Sequence, residues 1–294
     1  MRTGLDLDLS IGAVCTGLVL LIIFVGPFVT HYSAVQTDIN SLLLSPSTLH
    51  WLGTDNLGRD QFARLAIGGW YSIGAGVLII AVAVGLGAVV GLVAGYLGGW
   101  FDEILMRFSE LVMAFPALIL AMVIAFAVGP SFLTSVGAMG FAWFPGYARL
   151  IRGMVLEVRQ QLYVEAARAT GASTAHILFR TILPQVVPVV TSRATTNIGM
   201  AIIFNAGLSF VGLGVQPPTP DWGAMLASAD PYIFEAWWLA AFPGLAILLT
   251  VVGFSLLGDW LQGRFDPMLR STDRSSGTTA VAGDHETMLD NQSQ

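Results

Sequence analysis

A few groups of residues in this chain have the types and spacing to do chemistry. His50, Asp55 and Asp60 lie in one short polar stretch, and an imidazole with two carboxylates is a donor set that a divalent metal accepts. The more ordinary use of such residues in the Gly- and Asn-rich stretch HWLGTDNLGRD is in turns and helix caps. Glu110 stands at the edge of an uncharged run, where a carboxylate can carry protons across a membrane, but Arg107 three residues earlier offers it a surface pair. Asn197, Ala201, Asn205 and Ser209 recur at every fourth position. They form one semi-polar helix face that can line a wetted path or hydrogen-bond a neighbouring helix. In EAARATGASTAHILFRTILP, residues 165–184, Glu165 precedes a run of small residues that Gly171 interrupts, Ser173 can cap a second helix, and Pro184 marks a boundary. That pattern reads helix, bend, helix, with a knuckle of Ala166, Ala167, Gly171 and Ala172 that lets another backbone approach closely; the plainer alternative is a short amphipathic connecting helix.

Covalent catalysis has little to work with. All 13 basic residues are Arg, so a phosphate-loop Lys and a Schiff-base Lys are excluded, and any nucleotide hydrolysis falls to a partner. There is no HExxH or GxSxG, and His176 in the 165–184 stretch reads as a solvated residue. The single Cys15 sits in an apolar run, which rules out an intramolecular disulfide and leaves it a packing role. No metal site, resident cofactor or nucleic-acid partner is expected.

The elements that position these residues are membrane spans. The 294 residues are 55% hydrophobic and 11% charged, with mean hydropathy +0.73, far from the ~25% charged residues of soluble domains. Uncharged runs long enough to cross ~30 Å of hydrocarbon give an all-α membrane protein of six transmembrane helices. The expected limits are 11–30, 73–97, 108–128, 131–149, 185–212 and 236–258. Residues 1–10 precede the first span, which reads as retained and not as a cleaved leader because it is long and its leading segment is not basic. Gly87, Gly91 and Gly95 on the second span mark a helix-packing face, and Phe115-Pro116 a kink in the third. Arg2, Arg107, Arg149, Arg152, Arg159, Arg168, Arg180, Arg193, Arg264, Arg270 and Arg274 fall on one side of this topology and only Arg59 and Arg64 on the other. The excess places both termini and the 150–184 loop in the cytoplasm, with 31–72 and 213–235 outside. The 259–294 tail has the composition of a disordered segment from about 271.

Residues 165–184 resemble the EAA loop of ABC importer permeases: Glu165, Ala166, Ala167, Gly171, Leu183 and Pro184 are in register, and Thr181 departs where the pattern has Ile or, in the peptide branch, His. LGTDNLGRD, GYLGGWFDEILMR, GYARLIRG and SFVGLGVQPPTPDWG are similar to stretches of the C-type subunits of dipeptide and oligopeptide importers, and together they cover roughly Leu52 to Arg270. The resemblance implies a type I importer permease fold in the inner membrane of a prokaryote. It implies pairing with a second, related permease, two ATPase subunits that bind ATP and Mg²⁺, an extracytoplasmic substrate-binding protein and surrounding lipid. Glu165, Ala166, Ala167, Arg168, Gly171, Ala172 and Ser173 would then form the ATPase-coupling element, with Glu165 fixing it through a charge-assisted bond. Asn197, Ala201, Asn205 and Ser209 would line the pore, and Asp55, Arg59, Asp60, Asp221 and Trp222 would serve an outer gate or binding-protein contact. The implied substrates are dipeptides or short oligopeptides, with nickel complexes, glutathione or another small solute as alternatives. A secondary transporter is a remoter reading, because no run carries a central carboxylate; a purely structural membrane partner is another.

Overall fold

The computed structural model describes residues 2–265, and side chains are described from Leu9 to Gly263; the tail expected to be disordered lies outside these limits. Among the described residues every regular element is helical, apart from an isolated bridge between Thr54 and Asp60. The helices are α1 (Arg2–Val29), α2 (Gln61–Leu97), α3 (Gly99–Met113), α4 (Ala117–Val128), α5 (Phe132–Val158), α6 (Leu162–Ala169), α7 (Thr174–His176), α8 (Leu183–Phe210), α9 (Trp222–Ala229) and α10 (Trp238–Phe265). Their ends follow local chemistry. Asp60 caps α2 by accepting from the Ala63 amide at 2.8 Å, Ser131 caps α5, Ser173 caps α7, and Gly98 and Gly129 end α2 and α4 at positive φ.

Several limits differ from those expected. Helix α2 begins at Gln61, so residues 61–72, read from sequence as part of the outer excursion, are helical. The Phe115-Pro116 kink is a full break: α3 and α4 meet at 89°. In the 150–184 coupling segment α5 runs on to Val158, and the helix-bend-helix pattern read for 165–184 takes the form of α6, Gly171, α7 and a π-helical turn at Ile177–Ile182. Four helices are long and apolar enough to cross a membrane, within Leu9–Val29, Gln61–Leu97, Thr174–Phe210 and Trp238–Gly263, and the bent α3–α4 pair is a fifth candidate. Helix α5 has 27 residues but falls short on apolarity. It packs against α2 more extensively than any other two helices pack, and a helix surrounded by protein can carry small and polar residues that lipid would reject.

The α2–α5 seam is the glycine face. A Cβ on Gly87 would lie 2.5 Å from Tyr147 Cβ, one on Gly91 2.6 Å from the Ala148 carbonyl oxygen, and one on Gly95 2.8 Å from Val155 Cβ. Gly91→Ala is therefore expected to cost about 1–3 kcal/mol by overpacking and to lower the melting temperature in detergent. Gly85→Ala, where an added methyl meets nothing within 4 Å, should gain up to about 1 kcal/mol from helix propensity. Equal shifts for the two variants would refute the packing role. A core of α2, α4, α5 and α8 residues continues into Val164, Ile177 and Ile182, while a smaller one joins α1, α2, α9 and α10 through Val19, Ile23, Leu65, Trp222 and Met225.

Candidate functional site: a surface knuckle, a central cavity and an outer knot

Residues 162–182 form a short helical hairpin whose anchors are buried and whose tip is not. Val164, Ile177 and Ile182 are fully buried, whereas Glu165, Ala166, Arg168, Gly171 and Ser173 are exposed, and Ala167 and Ala172 are half-buried against the core. Gly171 sits at φ 83° with open space around it, so backbone conformation and not crowding requires glycine there. The Ser173 hydroxyl accepts from the His176 amide at 3.3 Å. Glu165 lies in the first turn of α6, where a carboxylate complements the helix dipole. Among the described residues it makes no ion pair or side-chain hydrogen bond. Arg168 ties the hairpin to α2, its guanidinium lying 5.3 Å from the centre of the Tyr96 ring at the end of that helix. Nearby, Arg159 donates to the Gly95 carbonyl at 2.8 Å, and Arg152 grips Asp102 of α3 with two bonds of 2.5 and 2.6 Å. Sequence reading missed these arginine contacts; each pairs residues at least fifty positions apart or stacks a cation on a ring, and no local spacing announces that.

Above the hairpin lies a cavity of about 1050 Å³ between the α3–α4 break, α5, α8 and the end of α10. Its walls are largely aromatic and aliphatic, from Phe115, Trp143, Leu150, Val189, Met200 and Phe204, with Tyr147, Ser192, Arg193, Asn197 and Gln262 as the polar contribution. On α8 the wall begins at Val189, within about two turns of the π-helical segment. Of the four pore candidates only Asn197 lines it, donating to the Tyr147 hydroxyl at 2.9 Å. Ala201, Asn205 and Ser209 share its helix face but are buried, because the upper half of α8 is packed against α2, α9 and α10. In this conformation they do not border the cavity. Trp143, Tyr147 and Arg193 were not singled out from sequence; they sit in the GYARLIRG neighbourhood and at a span edge, where apolar runs and surface arginines look ordinary.

The outer residues form a buried knot. Asp55 accepts from the Leu57 and Arg59 amides at 2.9 Å each and from Arg59 Nε at 2.7 Å, with Arg64 Nε at 3.4 Å. Asp60 pairs with His50 Nδ1 at 2.9 Å while capping α2. His50 and Asp55 are thus committed to different partners, and among the described residues no three His, Cys, Asp or Glu side chains converge as metal ligands. Asp221 and Trp222 lie apart from this knot, at the start of α9. Asp221 accepts from Ser72 Oγ at 2.7 Å and from the Gly223 and Ala224 amides, while Trp222 donates through Nε1 to the Leu65 carbonyl at 2.9 Å. Asp55, Arg59, Asp60, Asp221 and Trp222 are all under 7% exposed, so in this conformation they hold their own segments together from within. Arg107 and Glu110 form an exposed pair at 3.1 Å, the surface alternative to a proton carrier.

Burial raises the Asp221 carboxyl above the usual carboxylate range, while the hydrogen bond from Ser72 opposes the shift. The folded protein then binds a proton there that the unfolded chain has released, so stability falls as pH rises from the ordinary carboxylate range through the raised folded value. Asp221→Asn, which cannot ionise but still caps α9, should flatten that dependence in thermal melts across mildly acidic to neutral pH. Asp221→Ala should lose about 0.5–2 kcal/mol of capping at any pH. An Asn variant with an unchanged pH profile would refute the assignment.

An all-helical membrane bundle with an internal cavity and an exposed helical knuckle defines a membrane transport component. Residues 87–271 match the family described as binding-protein-dependent transport system inner membrane component, and the chain belongs to that family. It is 42% identical over 255 residues to the probable D,D-dipeptide transport system permease protein DdpC of Escherichia coli K12, covering 87% of this chain and 86% of that one. It is likewise 42% identical to the glutathione transport system permease protein GsiD of Pectobacterium atrosepticum, with 88% of each chain covered. To the dipeptide transport system permease protein DppC of Alkalihalophilus pseudofirmus it is 37% identical, covering 88% and 84%. The fold is similar to a chain of the inward-facing MetNI methionine ABC transporter, at TM-score 0.53 and 20% identity over 67% of this chain and 93% of the other. The protein is thus a multi-pass inner membrane permease component of an ABC importer.

Proposed function

We propose that this chain is the permease subunit through which an ATP-driven importer moves dipeptides or short oligopeptides across the inner membrane by alternating access. It pairs with a second, related permease, receives substrate from an extracytoplasmic binding protein and is driven by two ATPase subunits that hold ATP and Mg²⁺; this chain hydrolyses nothing. Both termini and residues 150–184 face the cytoplasm, where most of the arginines fall. The observation that carries the reading is the hairpin tip at Glu165–Ser173, exposed and slim, on anchors that continue into the wall-bearing helix α8. A push on such a tip moves the cavity wall. Glu165, unpaired within the chain, is the group a cationic residue of the ATPase would meet.

The dipeptide names of two relatives support the substrate class, and the glutathione permease at equal identity supports glutathione as the second reading. Uptake of labelled dipeptides, longer peptides, glutathione and chelated nickel, in cells lacking this chain and in cells regaining it, separates them. Restoration of dipeptide uptake is expected; restoration confined to glutathione or nickel would replace the peptide reading.

A further inference from the structure

We infer that Arg193 and Tyr147 form a carboxylate-reading subsite in the central cavity, which takes the C-terminal carboxylate of a short peptide in transit. This rests on the reading of the chain as a peptide permease and names the group on the substrate that its cavity selects. Arg193 is the one charged side chain among the described residues lining the cavity, and no carboxylate lies within ion-pair distance of it among those residues. Asn197, one helical turn further along α8, donates to the Tyr147 hydroxyl oxygen. That bond occupies the oxygen as acceptor and leaves the Tyr147 O–H proton to be donated, and Tyr147 lines the same cavity as Arg193. A fork of guanidinium N–H groups and a phenolic O–H lining one cavity can together meet the two oxygens of a carboxylate.

The surroundings favour the same ligand. Trp143, Phe115 and Phe204 line the cavity, and low-polarity walls strengthen an ionic contact that water would weaken. They also accept side chains of differing shape without specific hydrogen bonds. At about 1050 Å³ the cavity exceeds the size of a dipeptide, so the substrate is held at one charged end while the rest stays loosely packed. Every linear peptide with a free C-terminus offers that end, whatever its sequence.

The test is import of alanylalanine and of its C-terminal amide, which lacks the carboxylate and has no side-chain carboxylate to substitute for it. Import is measured by the assembled transporter in proteoliposomes with its binding protein outside. A charge-assisted hydrogen bond to the substrate corresponds to about tenfold or more in discrimination. Arg193→Gln should therefore lower the acid-to-amide import ratio about tenfold relative to the unmodified transporter, and Arg193→Lys should keep most of the ratio. The ratio should be the same in zwitterionic and anionic vesicles. The subsite is refuted if Arg193→Gln lowers acid and amide alike, if Lys and Gln variants behave identically, or if the effect appears only in anionic vesicles, where the guanidinium would serve a lipid headgroup. Import of neither form by the unmodified transporter would instead overturn the peptide reading itself.

Discussion

Replacing Gly171 with tryptophan should abolish substrate-driven ATP hydrolysis by the assembled importer while leaving the chain folded in the membrane. Nothing among the described residues lies within 4 Å of an added Cβ at this position, so a large side chain starts in open space and projects to where the proposed function seats the ATPase. Two separate costs arise: an L-residue at φ 83° costs about 1–2 kcal/mol, and spoiling a packed docking contact costs about 2 kcal/mol or more, roughly 30-fold in affinity. Gly171→Asn separates them, because Asn tolerates the left-handed conformation and adds little bulk. Co-purification of ATPase chains and peptide-stimulated hydrolysis should survive in the Asn variant and fail in the Trp variant. Normal coupling in Gly171→Trp would show that the hairpin tip is not where force enters.

Asp55→Ala should be the most damaging single change on the outer side. It removes the carboxylate that faces Arg59 and Arg64, which are only 6% and 5% exposed, and strands two cations away from water. Breaking a buried ion pair from one side costs about 3–5 kcal/mol, enough to lower membrane yield and bring forward thermal unfolding in detergent. The double variant Asp55→Leu with Arg59→Met should regain much of that loss, since apolar residues of similar volume often replace a buried pair at little cost. Arg64 keeps a hydrogen bond to the Ala34 carbonyl at 2.8 Å in either background. An Asp55→Ala protein as stable as the unmodified one would mean that the knot contributes nothing.

How far the sequence reveals these features depends on whether the determining interaction is local. Gly87, Gly91 and Gly95 announce a packing face because helical periodicity alone aligns them, and α5 does fill that face. Ser173, Asp60 and Gly171 announce caps and a bend because their side chains, or the lack of one, act on their own backbone. The Phe115-Pro116 break is visible as an interruption, but its 89° angle is set by what α3 and α4 pack against. The same holds for Asn197 to Ser209. Their period of four identifies one face, yet whether that face meets a cavity or a neighbouring helix is decided by α2, α9 and α10. The 50–64 stretch is legible as turns and caps, whereas its burial depends on residues far along the chain, such as Trp238, which donates to the Thr54 carbonyl at 3.3 Å. Tyr147 lies in the GYARLIRG stretch and Arg193 at a span edge, but neither pattern announces a cavity, because a cavity is defined by what does not fill it.

Helix α2 joins the two ends of the molecule without interruption. It starts at the Asp60 cap, inside the buried outer knot, and ends at Tyr96 and Leu97, where Arg168 of the hairpin rests on the Tyr96 ring and Arg159 holds the Gly95 carbonyl. Its 37 residues span about 55 Å at 1.5 Å per residue. A continuous strut of that length has few internal hinges in which to absorb a tilt, so a load at its foot beside the hairpin is felt at its head. If the hairpin couples to a nucleotide-binding partner as proposed above, thermodynamic reciprocity runs the other way as well: whatever seats itself beside the knot and prefers one inclination of the strut alters nucleotide affinity at the other end by the same factor.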